Sequence, residues 1–349
     1  MWLYHFGRSS GAEMPLKLVY RTAALLLATT CVVSSAYAQT AHATPEALGT
    51  AMPASVDPLT ATIHIEDVER FAKVLAATNG RPTVSDIQKG YLDHASYGVS
   101  IFTPGRIGDA ARLASKVNAD PASYDRAVRE CLPRVKAATA DLRAIYLALH
   151  GLLPDEPLPQ IYVVIGAGNS GGTAGPGAQV IGLEVLCAEN PSATGSRKAL
   201  RRFFAHETVH TFQQDISGIE KSPLLGEALV EGAADFIATL VTGEEPEPDR
   251  AAWALPRETM LWDQFQKDMP VSLATLQDNP PPDAVKAVNR WLHNYQSAPA
   301  GWPSEAGYWV GMRIWAAYYT AATDKHRAIR DMLRWDDPEA ILRKSGYQR

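Results

Sequence analysis

The spacing of hydrophobic residues changes twice along this chain. From Ile65 onward, Val68, Phe71, Val74 and Leu75 recur at helical intervals, and Leu142, Ile145 and Leu149 share one face of a helical stretch over 124–149. The period then shortens. Gln160-Ile161-Tyr162-Val163-Val164-Ile165 is apolar and β-branched between Pro159 and Gly166, and Gln179-Val180-Ile181-Gly182-Leu183-Glu184 reads as a second strand after a glycine-rich connection. Beyond it the helical period returns over about 197–216, 223–241, 252–267, 283–294 and 305–322. A small sheet followed by helices predicts an α+β fold rather than a doubly wound one.

Two stretches near the start fit neither period. Lys17 and Arg21 precede an apolar, small-residue run over 22–33, and Ser35-Ala36-Tyr37-Ala38 offers small residues three and one positions before a cut ahead of Gln39. This predicts a cleaved signal over 1–38 and a periplasmic or secreted protein. The run is shorter than the roughly 20 residues a hydrocarbon core requires, so no stable membrane span is expected after cleavage. Residues before Met14 are foreign to such a signal, and a start at Met14 would give it an ordinary length. Residues 39–60, rich in Ala, Thr and Pro without periodicity, read as a linker. The rest divides into an N-terminal helical region (61–157), a core carrying the strands and the chemistry (158–244) and a C-terminal helical region (245–349).

With 46% hydrophobic and 20% charged residues, the 349-residue chain is neither disordered nor low in complexity. Its formal charge of −5 and lack of a basic run exclude the electrostatic footprint of a nucleic-acid binder. Removal of the signal, which carries more cations than anions, makes the mature chain more acidic still. Cys31, Cys131 and Cys187 contain no CxxC pair, so a metal must rest on His and carboxylate. In an oxidising compartment Cys131 and Cys187 are permitted to form a disulfide, but their spacing does not require it.

Gly166-Ala167-Gly168-Asn169-Ser170-Gly171 follows a strand and matches the dinucleotide fingerprint. That fingerprint works only where the loop opens a helix whose amides hold a pyrophosphate. Here Gly172-Thr173-Ala174-Gly175-Pro176-Gly177 follows, then a second strand, so no dinucleotide is expected and the segment reads as a strand-to-strand loop over a cleft.

His206-Glu207-Thr208-Val209-His210 is an HExxH sequence inside a predicted helix, with Ser196 a candidate N-cap and Gly218 a candidate stop. Residues four apart lie on one helical face, so His206 and His210 can present two imidazoles to one Zn2+, with Glu207 beside them. Phe203, Phe204, Ala205, Val209 and Phe212 flank the motif without a charge, as suits a buried helix. Downstream, Glu227, Glu231 and Asp235 make an acidic stripe on an otherwise apolar segment, and carboxylates there are costly to bury unless paired or metal-bound. Gly232 would let the two helices approach closely.

HExxH followed by Glu231-Gly232-Ala233-Ala234-Asp235 resembles the gluzincin metallopeptidases. The wider resemblance is to a bacterial family of predicted zinc-dependent proteases related to gliding-motility lipoproteins. It rests on Gly171-Gly172-Thr173, Ile181-Gly182-Leu183-Glu184, the His206 to Gln213 segment, Glu231-Gly232, Gly307-Tyr308-Trp309-Val310-Gly311 and Tyr91-Leu92-Asp93-His94-Ala95-Ser96. The resemblance implies a mostly helical, zincin-like fold with a small sheet preceding the zinc helices. It implies one Zn2+ per chain, with Glu231 as third ligand and Asp235 orienting a ligand histidine, and it adds Gly171, Gly172, Gly182 and Glu184 as substrate-facing positions.

In this reading the protein hydrolyses peptides or proteins with a zinc-activated water, and Glu207 is the general base. Tyr308 is the candidate donor to the developing oxyanion; the competing role is core packing in a stripe with Met312, Trp315 and Tyr319. Residues 180–184 are the expected edge for pairing with substrate backbone. Glu227 reads as a structural or substrate-facing acid, Gln213 as a local hydrogen-bonder, and His94, His150, His293 and His326 lack a partner at ligand spacing. The alternative to an enzyme is a zinc-stabilised envelope or binding protein without turnover.

Overall fold

Four short strands build the sheet in this computed structural model, which describes residues 51–295 and 297–348. The strands are β1 (Ile63–His64), β2 (Gln160–Val164), β3 (Gly172–Gly175) and β4 (Ala178–Gly182), arranged β1-β2-β4-β3. β1, β2 and β4 run parallel, with Tyr162 opposite Val180, and β3 turns back antiparallel to β4, with Gly172 opposite Ile181. β2 and β4 are buried along nearly their whole length, which is why they read as continuous apolar runs rather than alternating ones. The expected signal, 1–38, and the first part of the expected linker lie outside the described residues.

The described part of that linker is fastened to the fold. Val56 N–H donates to the Leu158 carbonyl (3.0 Å), and Gln160 Nε2 donates to the Ala54 carbonyl (2.9 Å). A segment without periodicity is thus held by individual contacts, and Val56 adds one by packing against the core. β1 and β3 were not visible in the pattern either. One is two residues long, and the other arises from glycine-rich sequence of low β-propensity, because β4 supplies a pairing edge.

Most of the other described residues are in helices, so the fold is α+β and mostly helical. Those that carry the site are α1 (Thr139–Leu152), α2 (Leu183–Glu189), α3 (Ala193–Phe212), α4 (Pro223–Thr242), α5 (Pro248–Ala254) and α6 (Ala306–Ala321). The strand expected to reach Glu184 ends at Gly182, and Leu183 begins α2. Cys187 of α2 is disulfide-bonded to Cys131, both buried, which ties the N-terminal helices to the core. α3 starts four residues earlier than expected: Ser192 caps it by accepting the Gly195 N–H (3.0 Å), while Ser196 is fully buried inside the helix. It ends at Phe212, ahead of the expected stop at Gly218. The helix expected over 252–267 is two, Pro248–Ala254 and Glu258–Ser272, separated by a tight turn containing Pro256. The helix expected to run to residue 294 ends at Asn289.

Gly232 was expected to bring the two motif helices together, but the close crossing it makes is with α6. A Cβ on Gly232 would lie 2.2 Å from the Gly311 carbonyl carbon, and one on Gly311 would lie 1.7 Å from the Ala228 carbonyl oxygen. Fully buried Trp315 seals the same crossing by donating from Nε1 to the Leu229 carbonyl (2.8 Å). No helix among the described residues is long and apolar enough to cross a membrane.

Candidate metal centre

α3 buries Leu200, Phe203, Phe204, Thr208 and Val209, while His206, Glu207 and His210 are only partly buried. Gln179 fixes it to the sheet. This fully buried strand residue donates from Nε2 to the Phe203 carbonyl (2.6 Å) and accepts from Thr208 Oγ1 (3.4 Å). With α3 held against β4 and α4 packed alongside, His206, His210 and Glu231 converge.

His206 Nε2 and His210 Nε2 are 3.0 Å apart, and Glu231 Oε2 stands 3.3 and 3.2 Å from them. These are close to the separations of about 3.3 Å that bonds of about 2.0 Å to one tetrahedral ion require. The other nitrogen of each ring is already committed. His206 Nδ1 donates to Asp235 Oδ1 (2.9 Å), and His210 Nδ1 donates to Gln213 Oε1 (2.7 Å). The Gln213 amide cannot be reversed without losing the bond from its Nε2 to the Val230 carbonyl (2.9 Å), so its oxygen faces His210. When both rings are neutral, each points an Nε2 lone pair at the same spot, where Glu231 Oε2 is a buried oxygen with no hydrogen-bond partner. Three acceptors aimed at one another with no donor between them suit a cation.

Electrostatics make the same point. Burial disfavours a charged His206, but the carboxylates of Asp235 and Glu231 beside its two nitrogens outweigh it and raise the imidazole to about 10. His210 is raised as well, with Glu231 overcoming burial. Burial would raise Glu231, yet the two imidazoles pull it well below the usual carboxylate range. The metal-free cluster thus takes up protons where positive charge is wanted.

Glu207 projects to the other side of the cluster, against the start of β3: a Cβ on Gly172 would meet Glu207 Oε1 at 3.2 Å and the Phe203 ring at 3.0 Å. Gly171 is pressed on the same ring. Tyr308, at the start of α6, is half-buried with its ring parallel to that of His206 at 6.0 Å, rather than lost in the core with Trp315. Burial, together with the charges of Glu231, Glu305, Asp235 and Glu207, pushes its hydroxyl well above the usual tyrosine value, so it stays a proton donor.

Two expected substrate-facing residues lie elsewhere. Gly182 sits in β4 between two paired neighbours, with Ser170 O where its Cβ would be (2.4 Å). Residues 180–182 therefore cannot offer a free edge, and the free edge beside α3 belongs to β3. Glu184 is 4% exposed on α2, where it accepts the amides of Gly166 (3.0 Å) and Gly168 (3.2 Å). It is bound inward, and burial raises its carboxyl. The glycine loop that mimics a dinucleotide fingerprint thus spends two amides on an internal carboxylate and runs into β3 instead of a helix.

Residues missed in the sequence complete the surroundings. Arg250 of α5 donates from Nη2 to Asp235 Oδ2 (2.6 Å) and from Nη1 to the Glu305 carbonyl (3.3 Å), and lies 5.2 Å over the Tyr308 ring. Its guanidinium overcomes the burial that would raise Asp235 and holds that carboxylate low. His293 pairs with Glu227 through Nε2 (2.6 Å), one turn of α4 before Glu231. That bond raises His293, against burial, and the charges of Glu231 and Glu305 add to it. Only Asn79, His293 and Glu305 among the described non-glycine residues have left-handed backbones, and two of these lie on the segment entering α6. Comparison of the chain with protein-family models, with curated proteins and with solved structures finds no match to any of them.

Proposed function

We propose that this protein is a zinc-dependent peptidase with a zincin-like, gluzincin-type fold, in which His206, His210 and Glu231 hold one Zn2+ per chain. The observation that carries the reading is the trio of facing acceptor atoms, with the second nitrogen of each imidazole already hydrogen-bonded and Glu231 Oε2 left without a donor. A Zn2+ held there would polarise a substrate carbonyl and acidify a water at its open position. Glu207 takes the proton of the attacking water as its oxygen bonds to the peptide carbonyl carbon. It then passes that proton to the amine as the C–N bond breaks. The Tyr308 hydroxyl donates to the carbonyl oxygen as negative charge develops there. Asp235 holds His206 in the tautomer that leaves Nε2 free, and Gln213 does the same for His210. A peptide or protein substrate would lie along β3. The disulfide between Cys131 and Cys187 supports a periplasmic or secreted location, as the signal-like 1–38 does.

Metal analysis and peptide-library digestion test this together. Wild type should carry about one zinc per chain, lost in His206→Ala, while Glu207→Gln should keep zinc and lose at least about 100-fold in cleavage rate. Equal cleavage by wild type and Glu207→Gln would sink the catalytic claim and leave a zinc-stabilised envelope or binding protein.

A further inference from the structure

The front of the site holds a guanidinium that nothing described so far uses. Arg106 lies on a single wide, π-helical turn (Thr103–Ile107), a feature frequent at functional sites. Its carbonyl accepts the Ala167 N–H (3.0 Å), and its guanidinium sits 5.8 Å over the Phe102 ring. Nε donates to Ser170 Oγ (3.1 Å), and Ser170 Oγ donates to the Gly172 carbonyl (2.7 Å), the glycine against which Glu207 rests. The half-buried guanidinium is therefore anchored by one edge at the head of β3, beside the general base. Its four Nη–H donors have no acceptor, and it has no carboxylate within 4 Å, among the described residues. The cations behind the cluster differ: Arg250 is engaged by Asp235 and Arg202 by Glu247. Burial lowers the Arg106 pKa while the charge of Glu207 opposes that, so the side chain keeps its charge and Glu207 stays unpaired by it.

Resting on the peptidase reading, we propose that Arg106 is a specificity residue whose open Nη edge binds a substrate carboxylate, either an Asp or Glu side chain or the chain's own C-terminus. A planar fork held at one edge presents two parallel N–H bonds to such a group, a geometry that carboxylates match and neutral amides do not. The preferred substrates are thus acidic peptides or peptides ending close to the cleaved bond, laid along β3 with the anion toward Arg106.

The test uses one peptide in four forms, Glu or Gln near the cleaved bond and free or amidated at the C-terminus. Cleavage by wild type gives kcat/KM, and binding to the Glu207→Gln protein gives Kd without turnover. Wild type should prefer a carboxylate form by about 10- to 100-fold, and the replacement that abolishes the preference identifies its source. Arg106→Gln, which keeps a donor for Ser170 but no charge, should reduce the preference to within about 2-fold in both readouts, through KM rather than kcat. Arg106→Lys should retain part of it, and carries the test should the glutamine variant fail to fold. Robust cleavage without any carboxylate preference, or a preference intact in Arg106→Gln or unchanged in Arg106→Lys, overturns the role of Arg106 alone. Absence of Glu207-dependent cleavage overturns the peptidase reading beneath it.

Discussion

The two sides of the histidine pair are built differently. Behind it, α4 and α6 touch backbone to backbone at Gly232 and Gly311, Trp315 bridges them, and Asp235 is clasped between His206 and buried Arg250. In front, the wall is a glycine-rich loop and an edge strand, held by single bonds through Ser170 and by Glu184 accepting two amides. At the back Arg250 and Asp235 each bind more than one partner, whereas at the front neither Nη of Arg106 has an acceptor among the described residues. A cation needs ligands held to fractions of an ångström, which over-determined packing provides. A substrate must enter and leave, which suits a wall with small residues and uncommitted hydrogen-bonding groups.

The contrast breaks most visibly at Arg250. Arg250→Met strands the Asp235 carboxylate in a buried setting, and we expect a loss of about 4 kcal/mol in urea unfolding together with a 10- to 100-fold weaker zinc affinity by competition with a chelator. Should the variant match wild type in both, the back wall is not what holds His206.

Paired glycine substitutions sharpen the comparison. Gly311→Ala drives a methyl into the Ala228 carbonyl and should cost about 3 kcal/mol or more, with Trp315 fluorescence reporting loosened packing. Gly172→Ala meets only the Phe203 ring edge and the tip of Glu207, so thermal unfolding should register about 1 kcal/mol or less while cleavage falls. Equal stability losses at the two positions would erase the distinction.

The smallest effect concerns protons. Because His206 is raised to about 10 without a metal and His210 is raised too, loading at pH 7.5 should release about one proton or more per ion, read by calorimetry in buffers of different ionisation heat. The sign for stability follows. A raised His206 stabilises the metal-free protein fully below its ordinary value near 6.5, and this is lost as pH rises through about 10. The loaded protein should not show that alkaline loss.

The same division between back and front separates what could be read along the chain from what could not. The pair His206 and His210, with Glu207 between, follows from helical periodicity alone, since four residues always return to one face. Glu231 and Asp235 were marked by their cost: carboxylates on an apolar helix call for partners. The strands of the buried sheet centre, β2 and β4, declared themselves by composition. β3 did not, because pairing with β4 creates it against its propensity. Sheet order then decided which strand has a free edge, moving that edge from residues 180–184 to 172–175.

Local rules therefore determined the chemistry on one helix and the cost of isolated charge on the next. Everything that requires two distant segments was left to tertiary structure. Gln213 and Val230 are 17 residues apart along the chain but one hydrogen bond apart in space, and the partners of Arg250 lie 15 and 55 residues away, that of His293 66, and those of Glu184 16 and 18. Spacing along a chain fixes geometry only within a turn or two of regular structure. Beyond that, packing of whole elements sets which polar groups meet, and the orientation of both histidines and the open edge of Arg106 belong to that second kind of information.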